Sequence, residues 1–231
     1  MFKRYLIKEK NFTGNYSYYF CVENVEKIIS FYTVPKNANS SLKLFILQHL
    51  GFDYKSSDFP KIPESEINNT EMKKKYWEIV NSLPNYQLFT KTPSFNLEGK
   101  KIEKIAIYRD PFKRFESCYK NRVLFHQDKN VKGMSVDDIL KNLNIKKVDN
   151  RHFLPQNLFL GDDPSYYDVL VSTDEIEKLE KYLNNFFEKK IKFPKVQDGG
   201  NEFLISLTKE QKELIKDIYK FDFEFINKIN K

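Results

Sequence analysis

The feature that most constrains this chain is a strand–turn–helix pattern that occurs twice. Residues 28–34 (Ile-Ile-Ser-Phe-Tyr-Thr-Val) form a β-branched and aromatic run ended by Pro35, which predicts a buried strand. A polar link, Lys36-Asn37-Ala38-Asn39, leads into residues 40–50, where Leu42, Phe45, Ile46 and Leu50 recur at helical spacing before Gly51. The second unit begins with residues 102–108 (Ile-Glu-Lys-Ile-Ala-Ile-Tyr) as a strand, followed by Arg109. Asp110 then stands where an N-cap belongs and Pro111 at the first helical position, opening a helix predicted to about Phe125. Strands that alternate with helices predict an α/β fold. Its central sheet would be mostly parallel and covered by helices on both faces, in three layers.

The 231 residues suit one domain, 1–231, with 1–27 as a lead-in (an extended segment or an edge hairpin) and 28–231 as the core. A third strand is expected at 167–171, and helices at 71–83 and 135–143. Ser172 with Glu175, and Thr208 with Gln211, have capping-box spacing ahead of two further helices. Residues 53–70 and 150–161 read as loops. Segment 195–201 holds Gly199 and Gly200 and reads as a turn or mobile loop.

Lys and Arg exceed Asp and Glu by 39 − 32 = 7. That basic balance suits a polyanionic partner: nucleic acid, an anionic membrane or a small phosphate-rich ligand. Two cysteines, Cys21 and Cys118, make no disulfide framework and no zinc signature, and His49, His126 and His152 are too dispersed for a local metal motif. The apolar runs are too short for a signal peptide or a membrane span. The expectation is a soluble, cytoplasmic protein that needs no metal.

The first turn has the ingredients of an anion cradle. A helix start offers unpaired N–H groups, Lys36 adds a mobile charge, and Ser40 and Ser41 add hydroxyls. A plain helix cap with a surface lysine explains the same residues equally well. A nucleotide loop of the G-x-x-x-x-G-K-[ST] type is excluded, because none of the seven glycines lies in this turn; G-x-G-x-x-G is absent too. In the second turn Arg109 carries a forked charge suited to phosphate, and Ser117 lies two helical turns on. A local Arg109–Asp110 ion pair is the competing reading.

Taken together, Val-Pro-Lys-x-Ala-x-Ser-Ser after one strand and Arg-Asp-Pro-Phe-x-Arg-x-x-Ser-x-Tyr after a later one resemble the sulfotransferases that use 3′-phosphoadenosine 5′-phosphosulfate (PAPS). The likeness is to the carbohydrate branch that includes the Golgi enzymes, and it extends to His152-x-x-Pro155-Gln156 and Ile218-Tyr219-x-x-Asp222-Phe223. The resemblance implies that Pro35, Lys36, Asn37, Ala38, Asn39, Ser40 and Ser41 hold the 5′ side of PAPS. It implies that Arg109 and Ser117 hold the 3′-phosphate, and that a glycan or glycolipid hydroxyl is the acceptor. With no membrane anchor in view, the expectation is a soluble member of bacterial or viral origin, and the resemblance implies a three-layer fold like that of the P-loop NTPases. The variable stretches 53–70 and 127–150 are where an acceptor pocket is expected.

Lys36 is the expected catalytic cation. In the heparan 3-O-sulfotransferase branch a Glu-Lys-Ser-Pro segment supplies the catalytic glutamate; the similar stretch here is Thr90-Lys91-Thr92-Pro93. Lys91 matches, but Thr90 cannot act as a base at neutral pH. His152 is the substitute candidate, since imidazole titrates near neutrality, and His126 is a weaker one. A fold that binds nucleotide without catalysis, and a basic nucleic-acid-binding domain, remain as alternatives.

Overall fold

The computed structural model describes residues 3–7, 19–23, 27–58, 71, 74, 101–145, 147–148, 150–196 and 203–230. One sheet runs in the order β1 (Lys3–Ile7), β2 (Tyr19–Glu23), β3 (Lys27–Tyr32), β4 (Lys101–Tyr108) and β5 (Val169–Ser172). The helices among the described residues are α1 (Asn39–His49), α2 (Pro111–Cys118), α3 (Val136–Asn144), α4 (Asn157–Leu160), α5 (Ile176–Phe187), α6 (Lys209–Ile218) and α7 (Lys220–Ile229). Strands β3, β4 and β5 are parallel, with Tyr32 opposite Ala106 and Tyr108 opposite Ser172. β1 and β2 extend the β3 edge as an antiparallel pair, so the lead-in takes the hairpin form.

Strand periodicity sends alternate side chains to opposite faces. Ile29, Phe31, Ile105, Ile107 and Val171 pack on one face against α1 and α5 through Leu44, Phe45, Leu179 and Leu183. Tyr32 and Ala106 meet Phe159 and Leu160 of α4 and Phe225 of α7 on the other. The chain is therefore α/β, a three-stranded parallel sheet between helical layers. A third apolar cluster joins α2, α3 and α6 through Phe115, Ile139, Leu140, Phe153, Ile215 and Tyr219. Each such side chain, fully buried, contributes about 1.5–3 kcal/mol.

The helix starts follow local chemistry. The Asp110 side chain accepts the Lys113 N–H at 2.9 Å, with Pro111 at the first helical position, and Thr208 and Gln211 form the expected capping box. Ser172 departs from expectation. Its hydroxyl accepts the Asp174 N–H at 3.2 Å and caps a short 3-10 turn, Thr173–Glu175, so the α-helix starts at Ile176. The helix predicted to Phe125 is α-helical only to Cys118; Tyr119–Phe125 winds as a π-helix that ends at Gln127, φ 52°. The loop at 150–161 contains the short helix α4. The predicted helix at 71–83 lies outside the described residues except at positions 71 and 74.

Candidate active site

Because β3 and β4 are parallel neighbours, the two turns leave the sheet side by side at the carboxyl ends of their strands, where open α/β sheets bind ligands. Lys36 and Ala38 both have left-handed backbones, φ 72° and 55°. Each costs on the order of 1–3 kcal/mol for a non-glycine residue, so the surroundings must enforce it. They do. The Asn37 amide donates to Ile107 O at 2.8 Å and to Gln156 Oε1 at 2.6 Å, Pro35 O accepts from Arg114 Nε at 3.2 Å, and Lys36 O accepts from Arg109 Nη1 at 3.0 Å.

That last bond joins the two turns directly and displaces the local pairing considered for Arg109 and Asp110: the guanidinium reaches the other turn, while Asp110 caps α2. Gln156 closes the joint from below, accepting the Arg109 N–H at 3.0 Å and donating to Arg109 O at 2.8 Å. Both oxygens of buried Asp222 in turn accept backbone N–H groups, from Gln156 and Asn157, each at 2.8 Å. Gln156 and Asp222 thus build the floor of the site.

The side chains above that floor are cationic. Lys36, Arg109, Arg114 and Arg122 lie within electrostatic reach of one another. Burial first, then the three guanidinium groups, pulls Lys36 down to about 8, against an opposing pull from Cys118. Lys36 Nζ makes no hydrogen bond or ion pair among the described residues. Among the described residues Arg109 Nε and Arg122 Nε are buried without partners, as is Asn39 Oδ1. Arg122 stands 3.5 Å from Asp128. Like charges gathered in a low-dielectric cleft are unfavourable unless an anion joins them, so this donor set fits a ligand with several negative charges.

His152 lies at the edge of this group. Its Nδ1 is 2.9 Å from Asn150 Oδ1. Burial, then Arg122, Lys36, Arg151 and Arg114, lowers it to about 2, so the ring is neutral at physiological pH. His126, beside the π-helix, is held at about 4 by burial and Arg122. Ser41 accepts the Val196 N–H at 3.2 Å; Asn39 and Ser40 open α1 half-buried behind Ala38, which supplies no side-chain cap. Ser117 is half-buried on α2, and its hydroxyl makes no hydrogen bond among the described residues. Lys91, Thr90, Gly199 and Gly200 lie outside the described residues.

Arg122 was not singled out from sequence, and Arg114 entered only as part of the quoted second motif. Their signal was the spacing Arg114, Cys118, Arg122, one helical face. Among the described residues no group of His, Cys, Asp or Glu could hold a metal ion, and no helix is long and apolar enough to cross a membrane.

A family model described as the sulfotransferase family matches residues 18–227. The chain belongs to the sulfotransferase family. Searches of curated proteins and of solved structures gave no significant match. In this sulfotransferase both turns, the Gln156 clasp and Asp222 all fall within the matched region.

Proposed function

We propose that this sulfotransferase takes its sulfuryl group from PAPS and passes it to a hydroxyl of a carbohydrate or glycolipid, within one domain that works in the cytoplasm. The observation that carries the reading is the 3.0 Å bond from Arg109 Nη1 to Lys36 O, because it ties together the two turns whose residues suit an anion. PAPS when bound supplies a sulfuryl group on a phosphate leaving group. Residues 35–41 would hold its 5′ side, through the N–H groups at the start of α1, the Ser40 and Ser41 hydroxyls and the Lys36 ammonium. Arg109 and Ser117 would hold the 3′-phosphate.

Sulfuryl transfer, like phosphoryl transfer, asks the protein to position two partners in line and to offset charge developing on the leaving oxygen. Lys36, close to three guanidinium groups and unpaired among the described residues, is suited to that charge. His152 would take the acceptor proton: a dianion or trianion offsets Arg122 and Lys36, and so raises the basicity of the imidazole when the ligand arrives. Lys91 is assigned a supporting contact to the transferring group.

Adenosine 3′,5′-diphosphate, the product nucleotide, tests the reading. A ligand that binds only the folded chain must raise its melting temperature. A shift together with sulfate transfer to a glycan panel supports the enzyme. A shift without transfer to any acceptor indicates a nucleotide-binding member without activity, and no shift at millimolar ligand rejects the proposal.

A further inference from the structure

His152 is held by an amide whose orientation is dictated on both sides. Asn150 Nδ2 donates to Asp128 Oδ2 at 3.0 Å, and a carboxylate only accepts, so the amide nitrogen must face Asp128. The amide oxygen therefore faces His152, where it accepts the backbone N–H at 3.1 Å and lies 2.9 Å from Nδ1. An oxygen acceptor opposite Nδ1 requires that nitrogen to carry the hydrogen. In the neutral ring the lone pair is then on Nε2, which makes no hydrogen bond among the described residues.

The rest of the surroundings keeps this arrangement in place. The His152 carbonyl accepts from Arg114 Nη2 at 3.0 Å and from Cys118 Sγ at 2.7 Å. Asp128 is positioned by the end of the π-helix: left-handed Gln127 turns the chain, and the Asp128 N–H donates to Arg122 O at 2.9 Å. A π-helix with one more residue per turn thus brings Arg122 toward Lys36 and delivers Asp128 to Asn150.

We propose that Asn150, anchored by Asp128, is a positioning residue that keeps His152 in the Nδ1–H form and makes Nε2 the atom that receives the acceptor proton. The inference rests on the role given to His152 above. In that step the acceptor O–H bond breaks as its oxygen bonds to sulfur, and the proton passes to Nε2. The electron pair of the breaking sulfur–oxygen bond leaves with the phosphate. The resulting imidazolium keeps its Nδ1–H on Asn150, whose amide passes part of the positive charge's field to the Asp128 carboxylate.

Long-range proton–nitrogen NMR on the full chain, with His152 assigned by loss of its signal in His152→Gln, reads the tautomer directly. The parent is expected to show a protonated Nδ1 and a bare Nε2, and Asn150→Ala a population with hydrogen on Nε2. Removing a general base costs about 10²–10⁴ in rate, so partial loss of the correct tautomer should lower kcat about tenfold or more. KM for PAPS and affinity for adenosine 3′,5′-diphosphate should stay within about twofold, since among the described residues the Asn150 side chain bonds Asp128 and His152 and neither turn. Asp128→Asn keeps an acceptor for Asn150 and should lose less than Asp128→Ala, which covers the case of an unfolded Asn150 variant. Hydrogen on Nε2 in the parent, or a tautomer indifferent to Asn150→Ala and Asp128→Ala alike, would overturn the proposal. A parent that transfers no sulfate sinks the functional reading instead, and the nitrogen spectrum still decides whether the clasp exists.

Discussion

Gln156 clasps Arg109 as a neighbouring strand would, its side-chain oxygen on the Arg109 N–H at 3.0 Å and its side-chain nitrogen on the Arg109 carbonyl at 2.8 Å. The same oxygen takes the Asn37 amide at 2.6 Å, so one buried side chain registers both turns. A buried donor or acceptor left unpaired costs about 1–3 kcal/mol. Gln156→Leu should therefore lose roughly 2–4 kcal/mol in urea denaturation and weaken adenosine 3′,5′-diphosphate in parallel. A loss below about 1 kcal/mol would mean the turns hold their geometry without it.

Lys36 and Arg109 are expected to fail differently. Lys36→Ala removes charge from the leaving oxygen and should lower kcat by about 10²–10³, in addition to the weaker nucleotide binding that follows from losing the ammonium. Arg109→Ala removes a charge-assisted contact of about 1.5–3 kcal/mol and should weaken adenosine 3′,5′-diphosphate roughly 10- to 150-fold. Steady-state kinetics and calorimetry separate the two. Parent-like turnover in Lys36→Ala would refute its assignment.

The depressed Lys36 predicts a pH signature. With a pKa of about 8 in the free protein, the ammonium is charged below pH 8 and is lost above it. Affinity for adenosine 3′,5′-diphosphate should be full below pH 8 and fall by up to about tenfold per unit as pH rises beyond it, with proton uptake on binding. Lys43 is also lowered to about 8, by burial and Arg151, so the effect must vanish in Lys36→Met and survive in Lys43→Met. Calorimetry in buffers of different ionisation enthalpy measures it.

Far from the site, His49 supplies an acid sensitivity. Its ring stacks on Phe187 and meets Phe45 edge-on, both at 4.5 Å, it is 1% exposed, and neither nitrogen has a hydrogen-bond partner among the described residues. Burial, then Lys189, lowers it to about 4, whereas the unfolded chain protonates near the ordinary imidazole value of 6.5. Between those values the unfolded state binds more protons, so stability falls as pH drops through the window, by on the order of 3 kcal/mol in total. His126 and His152 act in the same direction, so the measured quantity is the difference between parent and His49→Leu at pH 7 and pH 4.5. Equal slopes in the two proteins would exclude His49.

Much of the fold was legible because its signals are local. The β-branched runs at β3 and β4 and the Asp110–Pro111 start are read from neighbours within a few residues. Ser172 misled because a serine can cap a 3-10 turn as readily as an α-helix, and the choice depends on how α5 docks on the sheet. The π-helix after Cys118 was invisible for a similar reason: Tyr119 and Val123 are drawn into the cluster with Phe153 and Ile215, and that distant packing sets the winding.

From residue order alone came the two helix starts, their charged and hydroxyl groups, and the family likeness, all consequences of short-range backbone chemistry. Only the folded chain decided that Arg109 would reach Lys36, that Gln156 would register both turns, and that Arg114, Arg122 and an Asp128–Asn150 pair would surround His152. Those contacts span from 22 to 119 residues of chain. They exist because parallel pairing of β3 with β4 places both turns at one end of the sheet, a juxtaposition that no local pattern encodes.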